Sequence, residues 1–221
     1  MTTRIAIIGG RGTGHIILQA IRDLARAGAD VACIGFLKDI MRSDETIDGA
    51  SVLGPFDAWR EQPPDTRFIT AILRPKQMRA RRRRIEGLEI PEDRFVRVVH
   101  PTATIAETAE IGVGTYIGPN VAVLPEARIG RHCSIRANAC ISHDVVIGDF
   151  AFVGPNASLN GGSKLGDGAH LGSNGTLADG ITVGDYALVG IGSAAARDVE
   201  PGTIVLGVPA RFAGRIDEED A

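Results

Sequence analysis

The feature that most constrains this chain is a run of aliphatic residues spaced six apart. The run extends without insertion from Ile105 to Val189 and has fifteen members. Small residues often stand two positions before a member, and glycine often follows it directly. A period of six fits neither an α-helix nor the alternation of a simple strand, and it is typical of a parallel β-helix. The members are Ile105, Ile111, Ile117, Val123, Ile129, Ile135, Ile141, Ile147, Val153, Leu159, Leu165, Leu171, Leu177, Val183 and Val189.

Three such segments make one triangular coil, so the run predicts about five coils. We expect the aliphatic and small residues, including Cys133, to fill the bore, and Gly or Asn to take the corners where φ is positive. A sandwich of ordinary strands is the alternative, but it would show separate turn signals instead of an unbroken period. After Val189 the period fades, and residues 190–196 are expected to be small and flexible.

The amino-terminal part reads as a strand, a glycine loop, a helix and a second strand. Residues 4–8 and 31–36 are the predicted strands, and residues 16–27 have helical spacing. Further short strands are predicted at 51–53 and 68–72. This order predicts a βαβ unit with a parallel sheet, that is, a Rossmann-like α/β domain.

The glycine loop predicts an anion site, because its backbone N–H groups and the following helix start can approach a phosphate. His15 stands where a dinucleotide-binding loop would have its third glycine, and Lys38 and Asp39 come slightly after the second strand. A nicotinamide dinucleotide is therefore disfavoured, and another phosphate-bearing or sugar ligand is favoured. A tight turn without a ligand is the alternative.

Composition excludes several classes of function. The net charge of the 221 residues is −3, so no bulk attraction to nucleic acid or to a membrane surface is expected. No apolar run reaches the length of a membrane span, and the apolar segment 5–8 is too short for a signal peptide. We therefore expect a cytoplasmic protein. The domains are expected at 1–98 and, for the β-helix, at 99–212, followed by an acidic tail at 213–221.

The histidines are the first candidates for chemistry. His143 lies two residues after an inward position, outside the bore, and Asp144 follows it. An imidazole beside a carboxylate suits general-base catalysis, whereas an ordinary surface histidine is the alternative. His132 lies three residues after Ile129 and His170 directly before Leu171, so the histidines occupy different phases of the repeat and a three-histidine zinc site is disfavoured. Cys140 has no obvious adjacent base and is a weak candidate nucleophile.

An arginine-rich segment is predicted as a helix at 78–85. It carries Arg79, Arg81, Arg82, Arg83 and Arg84. Such a run is most often a solvated face, and contact with a ligand phosphate or a neighbouring subunit is the alternative.

Taken together, several motifs resemble the bacterial sugar acetyltransferases of the PglD/NeuD type, within the hexapeptide-repeat acyltransferases. They are Gly-Thr-Gly-His at 12–15, Gly-Phe-Leu-Lys-Asp at 35–39, His-Pro at 100–101, the segment 141–150, and Gly-Val-Pro-Ala at 207–210. The resemblance runs in order from about residue 4 to residue 212. It implies a left-handed β-helix, a homotrimer, acetyl-coenzyme A bound between adjacent β-helices, and a nucleotide-sugar on the amino-terminal domain. No metal is expected.

The resemblance also implies roles for individual residues. His143 matches the catalytic base and Asp144 its acidic helper. Nucleotide-sugar contacts are implied for Thr13, Gly14, His15, Lys38 and Asp39, and acetyl-coenzyme A contacts for Phe152, Ser173 and Ile191. The chain departs from the family where Phe152 replaces a second histidine near the thioester, and near residues 73–75, where the family has a glycine.

The implied reaction is acetyl transfer from acetyl-coenzyme A to the amino group of a nucleotide-linked 4-amino-4,6-dideoxy sugar, without a covalent intermediate. O-acetylation of a sugar such as sialic acid would use the same residues. A non-catalytic β-helix that binds ligands or serves as a scaffold is the alternative outside the enzymes.

Overall fold

A computed structural model describes residues 2–39, 46–72 and 77–216. Its amino-terminal domain contains a five-stranded sheet with two helices. The strands are β1 (Thr3–Ile8), β2 (Val31–Leu37), β3 (Thr46–Ile47), β4 (Ala50–Gly54) and β5 (Arg67–Thr70). The helices are α1 (Thr13–Arg26) and α2 (Met78–Glu86), and short 3₁₀ turns occupy Phe56–Glu61 and Glu92–Arg94.

The sheet order β3-β4-β2-β1-β5 confirms the predicted βαβ unit. β1 pairs in parallel with β2 and with β5, and only β3 runs antiparallel to its neighbour β4. Helix α1 starts at Thr13, three residues before the predicted start at 16. Its missed first turn is Thr-Gly-His, which lacks the apolar spacing on which the prediction relied.

The rest of the described chain is a left-handed parallel β-helix with three faces, as predicted. The first face contains Val98–Val99, Tyr116–Ile117, Ser134–Ile135, Phe152–Val153, His170–Leu171, Leu188–Val189, Thr203–Leu206 and Arg211–Arg215. The second contains Thr104–Ile105, Ala122–Val123, Cys140–Ile141, Ser158–Leu159, Thr176–Leu177 and Ala194–Ala195. The third contains Glu110–Ile111, Arg128–Ile129, Val146–Ile147, Lys164–Leu165 and Thr182–Val183.

Each strand pairs with the strand one coil, or 18 residues, further on, as Ala122 pairs with Cys140 and Cys140 with Ser158. The second residue of each strand points into the bore, where the aliphatic members of the run form one continuous core. Cys133 is 2% exposed and belongs to that core, which confirms its predicted role as a small core residue. Burial of this apolar column is the main stabilisation of the coils.

The turns that join the faces form three edges. The first–second edge includes residues 136–139 and 172–175, the second–third edge includes 142–145 and 160–163, and the third–first edge includes 130–133 and 148–151. Along the first–second edge, Asn120, Asn138, Asn156 and Asn174 have positive φ, as expected. Along the third–first edge the same conformation is held by His132, Phe150 and Tyr186, which are unusual there and were not expected.

These aromatic residues with positive φ contact the amino-terminal domain. His132 is buried, with its ring stacked on Phe150 at 4.8 Å and edge-on to Phe95 at 4.5 Å. Burial lowers the pKa of His132 to about 4, so the imidazole is neutral. The contacts between the domains offset the backbone strain that a bulky residue incurs at positive φ. His132 is therefore a structural residue of the domain interface.

The arginines of α2 are not a purely solvated face, so that part of the prediction is wrong. Arg82 donates to Asp167 on the β-helix at 2.8 Å and to Glu86 at 2.8 Å. The guanidinium of Arg79 lies 4.4 Å from the ring centre of Tyr186. Arg79 and Arg82 therefore attach α2 to the third–first edge of the β-helix.

The carboxyl end continues the coils further than the fading period suggested. Residues 190–196 include the strand Ala194–Ala195, which pairs with Thr176–Leu177. The chain then returns to the first face as Thr203–Leu206 and closes it with the antiparallel strand Arg211–Arg215. The expectation of a flexible segment at 190–196 is therefore wrong. Backbone hydrogen bonds to the neighbouring strand order Ala194–Ala195, although the aliphatic pattern ends before them. That last strand runs past residue 213, where the acidic tail was expected to begin. Residues 217–221, in the rest of that tail, and residues 73–75 lie outside the described part.

Candidate active site

A cleft of about 830 Å³ lies at the carboxyl ends of β1, β2 and β5. The loop from Gly9 to Thr13 forms one wall, Lys38 and Asp39 follow β2, and Ala71 and Ile72 follow β5. Ligands of open α/β sheets bind at this position, because the loops and helix starts converge there. The cleft brings together three of the sequence-predicted contacts: Thr13, Lys38 and Asp39.

The polar groups of this cleft suit an anionic, sugar-bearing ligand. Asp39 accepts hydrogen bonds from the backbone N–H of Phe56 at 3.1 Å and from Arg84 at 3.0 Å. Arg11 and Arg81 add further positive charge to the lining. Helix α1 starts after Gly12 with no side-chain cap and no acidic residue in its first turn, so its positive end faces the cleft uncompensated.

Two of the expected contacts, Gly14 and His15, are not on the cleft lining. A Cβ at Gly14 would lie 2.8 Å from Cε1 of Phe36, so this glycine permits α1 to pack closely on β2. Nε2 of His15 lies 3.8 Å from Asp48 and the side chain is 31% exposed. The structure thus gives Gly14 a packing reason, in place of the backbone approach to a ligand that the loop suggested.

The candidate base lies on the β-helix, at the second–third edge. Nδ1 of His143 donates to Oδ2 of Asp144 at 2.8 Å, and both side chains are 63% exposed. Asp144 holds positive φ of 59°, a conformation that Asp tolerates better than most residues. A carboxylate on Nδ1 fixes the tautomer whose Nε2 carries a lone pair and can accept a proton from a substrate.

Gly161, one coil above, positions that imidazole. A Cβ at Gly161 would lie 2.7 Å from both Cε1 and Nε2 of His143, so the ring lies directly over this glycine. Sequence reasoning missed this residue. The signal that could have found it is the repeat itself, since a residue one coil from His143 must lie beside it.

The residues expected to bind the acetyl donor lie on other parts of the β-helix. Phe152 is on the outer surface of the first face, where its ring stacks on His170 at 4.3 Å and 8°. Ser173 and Ile191 lie at the first–second edge, on consecutive coils, and Ile191 is 78% exposed. An exposed apolar side chain beside a partly buried serine suits the thioester arm of coenzyme A, which is apolar with amide groups.

A single chain does not bring the cleft, the donor residues and the base together. The amino-terminal domain packs against the first face, where α1 residues Ile17 and Ile21 share a core cluster with Tyr116. His143 lies at the second–third edge, which is opposite that face in a three-sided helix. Ser173 and Ile191 lie on a different edge from His143. The cleft, the donor residues and the candidate base therefore lie on three separate parts of the single chain.

Sequence reasoning also missed a buried polar cluster beneath the glycine loop. Arg136 is 8% exposed and donates to Oγ1 of Thr13 at 2.7 Å. Nδ1 of His170 is buried without a partner, and burial, with a smaller contribution from Arg136, lowers the pKa of His170 to about 4. The signal for Arg136 was an exception in the repeat: it follows an inward residue where the neighbouring coils have Gly118 and Gly154.

The remaining chemical candidates stay apart. Cys33, Cys133 and Cys140 are free thiols, and burial raises the pKa of Cys133 to about 12. Within residues 2–39, 46–72 and 77–216, no group of three His, Cys, Asp or Glu side chains has the arrangement of a metal site. In the same ranges, no helix combines the length and apolarity that crossing a bilayer requires.

Comparison with known families agrees with this architecture. The family described as bacterial transferase hexapeptide (six repeats) matches residues 108–143 and 144–179. UDP-N-acetylbacillosamine N-acetyltransferase of Bacillus subtilis (strain 168) is 32% identical over 118 residues, which are 51% of this chain. The match spans 50% of that relative's length.

Solved structures match across both domains. A variant of perosamine N-acetyltransferase from Caulobacter crescentus, in complex with CoA and GDP-perosamine, is 28% identical with a TM-score of 0.81, covering 95% of this chain and 96% of that one. The acetyltransferase domain of PglB from Neisseria gonorrhoeae FA1090, in complex with acetyl coenzyme A, has a TM-score of 0.84 at 24% identity, covering 96% of this chain and 100% of that one, and supports the fold alone.

The fold and the matched repeats define the class of the repeat region: residues 108–143 and 144–179 are similar to the bacterial transferase hexapeptide family. The resemblance of the chain to the sugar N-acetyltransferases, which the motifs indicated, is confirmed in sequence and in structure.

Proposed function

We propose that this protein is an acetyl-coenzyme A-dependent N-acetyltransferase that acts on a nucleotide-linked amino sugar, of the 4-amino-4,6-dideoxy class. The observation that carries the proposal is the pair His143–Asp144, an exposed imidazole whose free Nε2 is fixed by a 2.8 Å hydrogen bond at Nδ1. Support comes from the cleft at the sheet edge and from relatives that are named as N-acetyltransferases of bacillosamine and perosamine nucleotides.

The proposed reaction is direct transfer between two bound substrates. Nε2 of His143 takes a proton from the sugar amine while the nitrogen attacks the thioester carbonyl. The tetrahedral intermediate then collapses, the carbon–sulfur bond breaks, and coenzyme A leaves as a thiol with the proton that His143 held. A positioned base typically contributes roughly 10²–10⁴-fold, and holding the two substrates together supplies much of the remaining rate.

The working form is proposed to be a homotrimer. The base lies opposite the face that carries the amino-terminal domain, and the donor residues Ser173 and Ile191 lie on another edge. Three copies packed side by side would bring the second–third edge of one β-helix next to the first–second edge of its neighbour. Acetyl-coenzyme A would lie in that groove, and the sugar would reach it from a cleft.

A transfer assay tests the proposal. Purified protein is incubated with acetyl-coenzyme A and a panel of UDP- and GDP-linked amino sugars, and the products are followed by mass spectrometry and by release of free thiol. We expect an N-acetylated sugar from at least one amine, and none from the matching sugar with a hydroxyl in place of the amine. His143→Ala should lower kcat on the order of 10²-fold or more, with little change in acetyl-coenzyme A affinity.

Asp144→Asn is the companion variant, and it should lose less activity than His143→Ala because it retains a hydrogen-bond acceptor for Nδ1. A folded His143→Ala protein with the kcat of wild type would contradict the assignment of the base. Acetylation of the hydroxyl sugar alone would show an O-acetyltransferase instead.

A further inference from the structure

Arg136 is a buried cation in an unusual place. It follows the strand Ser134–Ile135 at the first–second edge, and its guanidinium lies between two aromatic rings of the first face, 5.9 Å from the ring centre of Tyr116 and 5.3 Å from that of Phe152. The residue is only 8% exposed. Coils on either side have glycine at the equivalent position, so the β-helix itself does not require a side chain here.

The charge of Arg136 is not compensated by the described residues. Nη2 donates to the neutral hydroxyl of Thr13 at 2.7 Å, and Nη1 is buried without a hydrogen-bond partner. No carboxylate among the described residues forms an ion pair with it, and burial lowers its pKa from the ordinary value. A buried charge without a counter-charge is costly, so an anion that binds beside Arg136 would offset that cost.

The same point of the fold carries a second positive element. Thr13 is the first residue of α1, a helix of 14 residues with no capping side chain and no acidic residue in its first turn. Thr13 also lines the cleft, so the guanidinium lies directly behind the cleft wall. A helix start and a buried guanidinium that meet at one threonine both favour an anion at that spot.

We propose that Arg136 supplies the charge that fixes an anionic oxygen group of the ligand at the amino end of α1. This inference rests on the proposed function, because it places that group in the nucleotide-sugar cleft. The group is either the diphosphate of the nucleotide or a carboxylate on the sugar, and both present the same oxygen chemistry to a guanidinium. Arg136 would then couple the β-helix to substrate binding in the amino-terminal domain of the same chain.

Calorimetric titration of wild type and three variants tests the inference. The proteins are wild type, Arg136→Met, Arg136→Lys and the control Arg128→Met, which removes an exposed charge from the third face. The ligands are UDP, GDP, UDP-glucose, UDP-glucuronate and coenzyme A. Methionine keeps the apolar contact with the rings and removes the charge, whereas lysine keeps the charge and loses the planar donors.

We expect Arg136→Met to bind its nucleotide about 10-fold more weakly or worse, because a positive charge near the anion is lost from a poorly solvated site, while Arg136→Lys is intermediate. Coenzyme A affinity and both affinities of Arg128→Met should stay within about twofold of wild type. An equal loss for UDP and UDP-glucose identifies the diphosphate as the anion. If wild type binds UDP-glucuronate more tightly than UDP-glucose and Arg136→Met loses only that difference, the anion is a sugar carboxylate.

Unchanged nucleotide affinity in folded Arg136→Met and Arg136→Lys proteins would overturn this inference and leave the proposed function intact. Equal weakening of nucleotide and coenzyme A binding would also overturn it, because that result marks a residue that only holds the domains together. A wild-type protein that binds neither UDP, GDP nor their sugars would overturn the proposed function, and this inference with it.

Discussion

At the scale of the residue, the repeat places catalytic groups by stacking. His143 and Gly161 occupy equivalent positions on consecutive coils. A methyl group at Gly161 would lie only 2.7 Å from two atoms of the imidazole. Asp144 holds the other side of the ring at 2.8 Å. The orientation of the base is therefore set by a missing side chain as much as by a hydrogen bond.

Gly161→Ala tests this positioning. The added methyl group must push the imidazole away, so kcat should fall by roughly 10-fold or more, because small misplacements of a catalytic group are costly. Affinity for acetyl-coenzyme A and the melting temperature should change little. Gly180→Asn is the control on the next coil of the same second–third edge, since a Cβ there meets nothing within 4 Å and Asn tolerates its positive φ. Unchanged kcat in Gly161→Ala would show that the ring is not held over this glycine.

At the scale of the element, the third–first edge and helix α2 form the joint between the domains. Arg82 spans the joint to Asp167, and His132 fills it between Phe95 and Phe150. The depressed pKa of His132, about 4 through burial, makes this joint sensitive to acid. In the native state the imidazole of His132 stays neutral, whereas in the unfolded chain it takes up a proton at the ordinary pKa of 6.5.

The contribution of His132 to the free energy of unfolding should therefore be complete above pH 6.5 and should decline as the pH falls toward 4. The contribution of His132 to that decline is at most roughly 3 kcal/mol, at 1.36 kcal/mol for each unit between the two pKa values. His132→Phe keeps the ring contacts, and Phe150 shows that this column accepts Phe at positive φ. Urea unfolding at a series of pH values should give a flatter profile for this variant. Equal slopes for variant and wild type would show that His132 is not buried in the native state.

The sequence predicts what the repeat and local chemistry dictate, and it misses what distant partners decide. The six-residue period predicts the coils because each aliphatic residue faces the bore independently of the rest of the chain. The burial of His132 could not be predicted, because its neighbour Phe95 comes from another element. Arg136 escaped notice for the same reason, since its partner Thr13 is 123 residues away. The arginines of α2 read as solvated until the β-helix edge that they contact is known.

At the scale of the whole molecule, the three-sided β-helix places the parts of the proposed site on different sides of one chain. The cleft lies in the amino-terminal domain, which packs against the first face. Ser173 and Ile191 lie at the first–second edge, and His143 lies at the second–third edge, opposite the first face. The proposed site therefore requires association of the chains, and sedimentation should show a trimer at micromolar concentration. In such a trimer, the base of one chain would act on a substrate held by another.

Mixing two inactive variants tests whether the site is shared between chains. In His143→Ala the base is missing, and in Gly10→Phe a ring fills the cleft, because a Cβ at Gly10 meets nothing nearer than Cδ of Lys38 at 3.8 Å and the fold can accept it. Each variant alone should transfer almost no acetyl group. Co-expressed as mixed trimers, they should recover a substantial fraction of wild-type kcat, because some sites combine an intact cleft from one chain with an intact His143 from its neighbour. Mixed trimers that remain as inactive as the separate variants would contradict the account.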